Sequence, residues 1–268
     1  MPEQRYASHV INRSDGTRLW VPPDAVFAPI QALPTDIDVE LTGATQLFSL
    51  GTQMEDIWGR VFRYVEHGGT IAQNSMVDAE IPDVDHDNFD LVTAVVAGDT
   101  SILVDSPEAG TADFIVNEYA QGWVNAELVV GGIAYPIASH ALWDISAATD
   151  LTVYLFKPIR TAIAINCDLS FTKSKFKEVI IAAAAAASQV VGVNSGSGAV
   201  DGRFGWVQTR GPAKVLTAGT VVLGESVVVI TTAGAVGPTG ADDISQRVGQ
   251  VVKVGPTTEW SFINVTLE

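Results

Sequence analysis

Apolar residues fall along this chain in short runs set apart by Gly, Pro, Asp or Asn. Residues 60–65, Arg-Val-Phe-Arg-Tyr-Val, are rich in β-formers and lead into a Gly68-Gly69 turn signal. Val39, Leu41 and Leu47 alternate loosely with polar residues, and further β-rich runs cover 91–96, 101–104, 113–116, 126–130 and 151–156. A second dense set occupies 204–209, 213–216, 220–222, 227–231 and 246–254. In the closing run, Ser261, Ile263, Val265 and Leu267 alternate with Phe262, Asn264 and Thr266, the period-2 signature of a half-buried strand. No run alternates with a long amphipathic helix, which argues against an α/β nucleotide-binding fold. The pattern predicts a mainly β protein built of sandwich or barrel-like modules.

Two stretches break the pattern. Residues 1–35 carry Pro22, Pro23, Pro29 and Pro34, which favour extended or turn geometry, interleaved with Trp20, Val21, Phe27 and Ile30. This predicts an extended N-terminal arm lying on its own domain or on a neighbour, with those four apolar residues as its candidate interface. Residues 182–187 are six alanines, which favour helix, between β-branched flanks, which favour strand. After them, residues 192–198 read as a loop by their Gly and Ser content. A boundary near 175 divides a first β-rich domain, 36–175, from a second, 176–268. Gly59-Arg60 and Gly202-Arg203 each open a β-rich run and are followed by Gly68 and Gly211 nine positions after the first glycine. That likeness points either to two related modules or to coincidence.

Charge narrows the partners. Thirty-one Asp and Glu against 15 Lys and Arg leave −16, a field that repels nucleic acid and anionic membrane surfaces and suits docking onto a positively charged protein. The lone Cys167 sits in an apolar stretch and reads as a buried small hydrophobe, so stability rests on packing or oligomerisation instead of disulfides. A homotrimer is the expected assembly. The first residues have no signal-peptide pattern, and no apolar run approaches the roughly 20 residues of a membrane span. Synthesis in a cytoplasm is expected.

The motifs of common chemistries are missing: no Gly-x-Ser-x-Gly elbow, no Walker A loop, no Gly-x-Gly-x-x-Gly after a strand. His9, His67, His86 and His140 share no metal-ligand spacing, and His67 beside its glycine turn reads as a polar loop residue. Residues 83–90 place Asp83, Asp85 and Asp87 like the start of a calcium loop, but Asn88 and Ala94 stand where such a loop needs Gly and a bidentate Glu. The segment reads as a solvated acidic turn, with no metal or cofactor expected. The six tryptophans are scattered and read as core or interface packing. Nothing marks an enzyme.

The string Gly202-Arg-Phe-Gly-Trp-Val-Gln-Thr-Arg-Gly-Pro-Ala-Lys-Val-Leu216 resembles a segment of the decoration, cement or head structural proteins of tailed bacteriophages. Leu50-Gly-Thr52 leading to Gly59-Arg-Val-Phe-Arg-Tyr-Val65 and Gly68-Gly69, and Arg247-Val-Gly-Gln-Val-Val252, are similar as well. The resemblance implies a non-enzymatic virion protein, rich in β-structure, that attaches to the major capsid protein on the capsid surface. It carries no catalytic residues. The Pro-rich leader and the alanine run depart from it. A head fibre or tail component, or a glycan-binding β module, is the alternative.

Overall fold

β-branched and aromatic residues dominate the apolar runs, and they pack best on a pleated surface, so the chain resolves into strands. A computed structural model of the chain describes residues 9–21, 37–83, 85–105, 113–127, 132–144, 149–165, 167–182, 188–240, 246–256 and 259–268. Among these residues there are strands, turns and bends but no helix. The mainly β fold class expected from the pattern is what the chain adopts.

Two compact units form: unit 1 from Met1–Ile81 with Lys175–Glu268, and unit 2 from Pro82–Ser174. The chain returns from unit 2 to unit 1 between Ser174 and Lys175. The expected first domain, 36–175, is split, because residues 37–81 belong with the C-terminal strands. The reason is long-range pairing, described next.

In chain order, unit 1 begins with β1 (His9–Asn12), β2 (Arg18–Val21), β3 (Gln53–Glu55), β4 (Val61–His67) and β5 (Met76–Asp78). Unit 2 follows with β6 (Ser101–Val104), β7 (Trp123–Glu127), β8 (Ile133–His140), β9 (Leu151–Leu155) and β10 (Asp168–Thr172). Unit 1 resumes with β11 (Ile180–Ile181), β12 (Val190–Asn194), β13 (Arg203–Leu216), β14 (Ser226–Val229), β15 (Val236–Pro238), β16 (Arg247–Lys253) and β17 (Trp260–Thr266).

The spine of unit 1 is β13. It pairs antiparallel with β4 over Arg203↔His67 to Arg210↔Val61, and with β17 over Arg210↔Thr266 to Leu216↔Trp260. The register shifts between Gln208 and Arg210, just before Gly211 at φ 90° and Pro212. The Gln208 amide donates to the carbonyls of Arg210 and Pro212, which satisfies backbone acceptors at the irregularity. The full order is β1-β2-β3-β4-β13-β17-β16-β14-β15, with β12 joining β13 to β5 and β5 to β11. The Met76 N–H donates to Gly234 O in the β14–β15 turn, so that turn lies against β5. Val193, Val215, Val227, Val229, Val248, Val251, Ile263 and Val265 pack with Met76 in one buried cluster lined by β5, β12, β13, β14, β16 and β17. A second cluster gathers Leu19, Val21, Phe48, Met54, Phe62, Tyr64 and Trp206. There the Tyr64 ring meets Phe48 and Trp206 edge-on at 5.1 Å each.

Residues 9–21 are not an extended arm. They form a β1–β2 hairpin whose second strand pairs with β3 through Leu19↔Met54 and Trp20↔Gln53, and Leu19 and Val21 are buried in the unit's own core. The paired Gly-Arg openings also have a local cause. Gly59 (φ 75°) and Gly202 (φ 69°) each take left-handed backbone at the turn that enters β4 or β13.

Unit 2 carries one antiparallel sheet, β10-β7-β8-β9-β6. Its core is aromatic: Phe114 meets Trp143 and Phe171 edge-on at 5.1 Å, and Phe89 and Tyr119 complete the cluster. Cys167 is buried in it, and burial pushes its thiol pKa up. The acidic turn is anchored by His86 and Phe89, both buried, while Asp83, Asp85, Asp87 and Asp90 are exposed. The Asp85 N–H donates to Asp83 Oδ1, and Asn88 takes φ 62°. Residues 183–187 of the alanine run lie outside the described residues; Ala182 is buried.

One buried charge opposes the fold of unit 1. Asp78, on β5 opposite Ile180 and Val190, is 3% exposed, and its Oδ1 has no hydrogen-bond partner among the described residues. Desolvation raises its pKa from 3.8 to about 6. The folded state therefore holds the proton more tightly than the unfolded chain, and stability falls as pH rises between those two values. Asp78→Asn is expected to stabilise the protein by about 1–3 kcal/mol at pH 8, and to change little at acid pH where both states are protonated. Urea melts at the two pH values check this; an equal effect at both would refute the desolvation account.

Candidate functional site

β17 alternates cleanly: Ser261, Ile263 and Val265 point into the core, and Trp260, Phe262, Asn264 and Thr266 face outward. The outward phase should be polar, yet Trp260 is 45% and Phe262 42% exposed. Their β13 partners in register are Leu216 and Lys214, and Lys214 Nζ lies 5.0 Å from the Trp260 ring centroid.

The turn between β3 and β4 adds to this face. Asp56 Oδ1 accepts the N–H groups of Trp58 and Arg60, and its Oδ2 accepts Arg60 Nε at 2.6 Å. With Gly59 in left-handed backbone, this turn projects Ile57 and Trp58, 60% and 72% exposed. The Arg60 guanidinium is held between two rings, 5.6 Å from Trp58 and 5.2 Å from Phe62. Trp58, Arg60, Phe62, Pro212, Lys214 and Phe262 line one open groove of about 580 Å³. Exposed rings kept apart by fixed cations make a rigid, sticky surface of the kind that anchors protein interfaces.

A buried polar network underlies the groove. Asn194, on β12, is fully buried; its Nδ2 donates to the carbonyls of Ala72 and Gly196, and its Oδ1 accepts the Gly196 N–H. His67, the last residue of β4, is fully buried as well, with Nδ1 at 2.9 Å from Arg203 O and Nε2 at 3.2 Å from Asn194 Oδ1. It is therefore a core residue and not the polar loop residue expected. Burial lowers its pKa, against the opposing pull of these two acceptors. Tyr64 is pushed up to about 12 by burial, while its hydroxyl accepts the Leu47 N–H.

No protein-family model, curated protein sequence or solved structure matches this chain.

Of the candidate interface residues, Val21 is 2% exposed and packs in unit 1's own core, so it presents nothing to a partner. Trp20 is half-buried on β2; Phe27 and Ile30 lie outside the described residues. Among the described residues, the structure thus removes Val21 from the expected four. It assembles Trp58, Trp260 and Phe262 instead. The signal for two of these was present in the sequence, as aromatic rings on the polar phase of an alternating strand. Trp143 and Trp206 are core residues, whereas Trp58, Trp123 and Trp260 are exposed.

Proposed function

We propose that this chain is a non-enzymatic virion structural protein that binds and stabilises the capsid shell of a tailed bacteriophage, as a cement or decoration protein. One observation carries the reading. The three stretches that resemble such proteins lie far apart in sequence, yet they supply β4, β13 and β16, strands of one continuous sheet in which β17 bridges β13 and β16. The outward face of that sheet bears Trp58, Trp260 and Phe262 with Arg60 and Lys214. In a chain of net −16, Arg60 and Lys214 make this face locally positive, so it suits an acidic patch of the shell and not the positively charged partner that net charge alone favours.

The mechanism is thermodynamic. A protein that binds only the mature shell stabilises that shell by mass action, and symmetry repeats each modest contact many times. A homotrimer matches the symmetry of such shells, with the major capsid protein as partner and the capsid surface as location.

The test adds purified protein to undecorated capsids. Saturable binding and a raised capsid melting temperature are expected. The triple variant Trp58→Ala/Trp260→Ala/Phe262→Ala should bind at least about tenfold more weakly, since central aromatic anchors dominate interface energies. Its own melting curve should be unchanged, because all three rings are exposed. Equal binding by the variant would overturn the assignment of the face, and absence of binding by the wild type would overturn the function. Light scattering tests the trimer.

A further inference from the structure

Unit 2 holds a second site of different character. Residues 82–174 contain thirteen Asp and Glu but only three Lys and Arg: Lys157, Arg160 and Lys173. In such a unit every cation has carboxylates to pair with. Lys173 does so, with Glu118 at 3.1 Å. Lys157 and Arg160, both exposed, form no ion pair among the described residues. Both line one groove of about 370 Å³.

The groove is built on rigid elements. Its floor is the outer face of the sheet, where Trp123 on β7 stands opposite Pro136 on β8 and is 46% exposed. Its wall is the segment leaving β9, Lys157-Pro158-Ile159-Arg160-Thr161. That wall is pinned: Ile159 is buried and exchanges backbone hydrogen bonds with Gly98 and Asp99, while the Arg160 N–H donates to the Tyr135 hydroxyl at 3.2 Å. The backbone carrying the two cations is therefore fixed beside an exposed indole, which lowers the ordering cost of binding to that of the two side chains.

We propose that this groove binds an acidic saccharide, with the apolar C–H face of a sugar ring on Trp123 and its carboxylate between Lys157 and Arg160. Three features favour this ligand over an acidic peptide. The volume lies near the lower end of small-molecule sites, about 300–1,000 Å³, and so suits a compact ligand. At the groove, β7 is paired on both of its edges, to β10 and to β8, so no strand can add beside Trp123. The single exposed indole offers one stacking platform, not the ridged row that an extended chain needs. The local cations also offset the unit's overall negative field, which otherwise repels any anion. This site is independent of the shell-binding face of unit 1.

Calorimetry on the full chain tests it with three probes: trigalacturonate, neutral maltotriose and tetra-aspartate. Trigalacturonate is expected to bind at millimolar strength or tighter, and maltotriose at least about tenfold more weakly, since the charged contacts are lost. Trp123→Ala and Lys157→Ala/Arg160→Ala should each weaken trigalacturonate by about tenfold or more, with unchanged melting curves because the three side chains are exposed. No binding of trigalacturonate, or equal binding by either variant, overturns the proposal. Tetra-aspartate binding as tightly as the sugar and indifferent to Trp123→Ala would make the groove a generic anion site and overturn it equally.

Discussion

Deleting residues 1–21 is expected to destabilise unit 1 by about 3–6 kcal/mol. Leu19 and Val21 are each 2% exposed and pack with Phe48, Met54 and Phe62. Burying such side chains contributes roughly 1.5–3 kcal/mol apiece, and area-based figures are upper values. The deletion also strips β3 of its partner β2, turning three residues into an exposed sheet edge open to aggregation. Urea denaturation of the two proteins measures the change. An arm that docked only on a neighbour would leave the midpoint where it was, and that result would sink the hairpin's structural role. The point variant Leu19→Ala separates packing from edge effects, with an expected loss of about 2–5 kcal/mol.

Asn194→Ala is expected to cost about 3–5 kcal/mol, far more than the loss of an exposed amide. The side chain is fully buried and serves three segments at once: residues 71–72, the turn at Gly196, and His67 on β4. Truncation leaves those carbonyls, the Gly196 N–H and an imidazole nitrogen facing no partner in the interior. Each stranded group carries a desolvation penalty of about 1–3 kcal/mol. His67 adds a pH signature. Because burial lowers its pKa, the folded state favours the neutral ring; its contribution is fully present above the ordinary value of about 6.5 and is lost as pH falls below it. Equilibrium melts of wild type and Asn194→Ala at pH 8 provide the measurement. A loss under about 1 kcal/mol would show that water replaces the amide and that the network does not organise the groove floor.

What the sequence revealed depended on how local the cause was. β6, β9 and β17 were readable because their alternation lies within each strand. β8 escaped notice because Pro136 interrupts it, and a proline argues against a central strand; β8 nonetheless lies between β7 and β9, with its register shifting just beyond, at Ile137. Conversely, residues 91–96 and 113–116 are rich in β-formers yet contribute only single bridges, at Leu91, Val95 and Phe114. Their apolar side chains serve the core without a continuous partner strand. The arm was misread for a simple reason. Pro22, Pro23, Pro29 and Pro34 all follow Val21, so their constraint on the backbone never covered residues 9–21. His67 was misread because Gly68-Gly69 marks a turn truthfully but says nothing of the residue before it. The space it fills comes from Gly205 on the partner strand, where a Cβ would sit 2.9 Å from the His67 ring. The grouping of 37–81 with the C-terminal strands depends on β4 meeting β13 about 140 positions later, a pairing no local pattern encodes. The groove residues Trp58 and Lys214 come together through that same pairing.

The insertion of unit 2 between Ile81 and Lys175 sets the order in which the chain matures during translation. Residues 82–174 are contiguous and contain their own aromatic core, so they emerge from the ribosome with every partner strand already made. Unit 1 waits. Its β4 must hold for β13, and β13 and β16 both present open edges until β17, the strand that separates them, is synthesised. The newly made chain thus spends the longest interval with β4 lacking β13 and β5 lacking β11 and β12, and such open edges favour chaperone capture or misassembly between nascent chains.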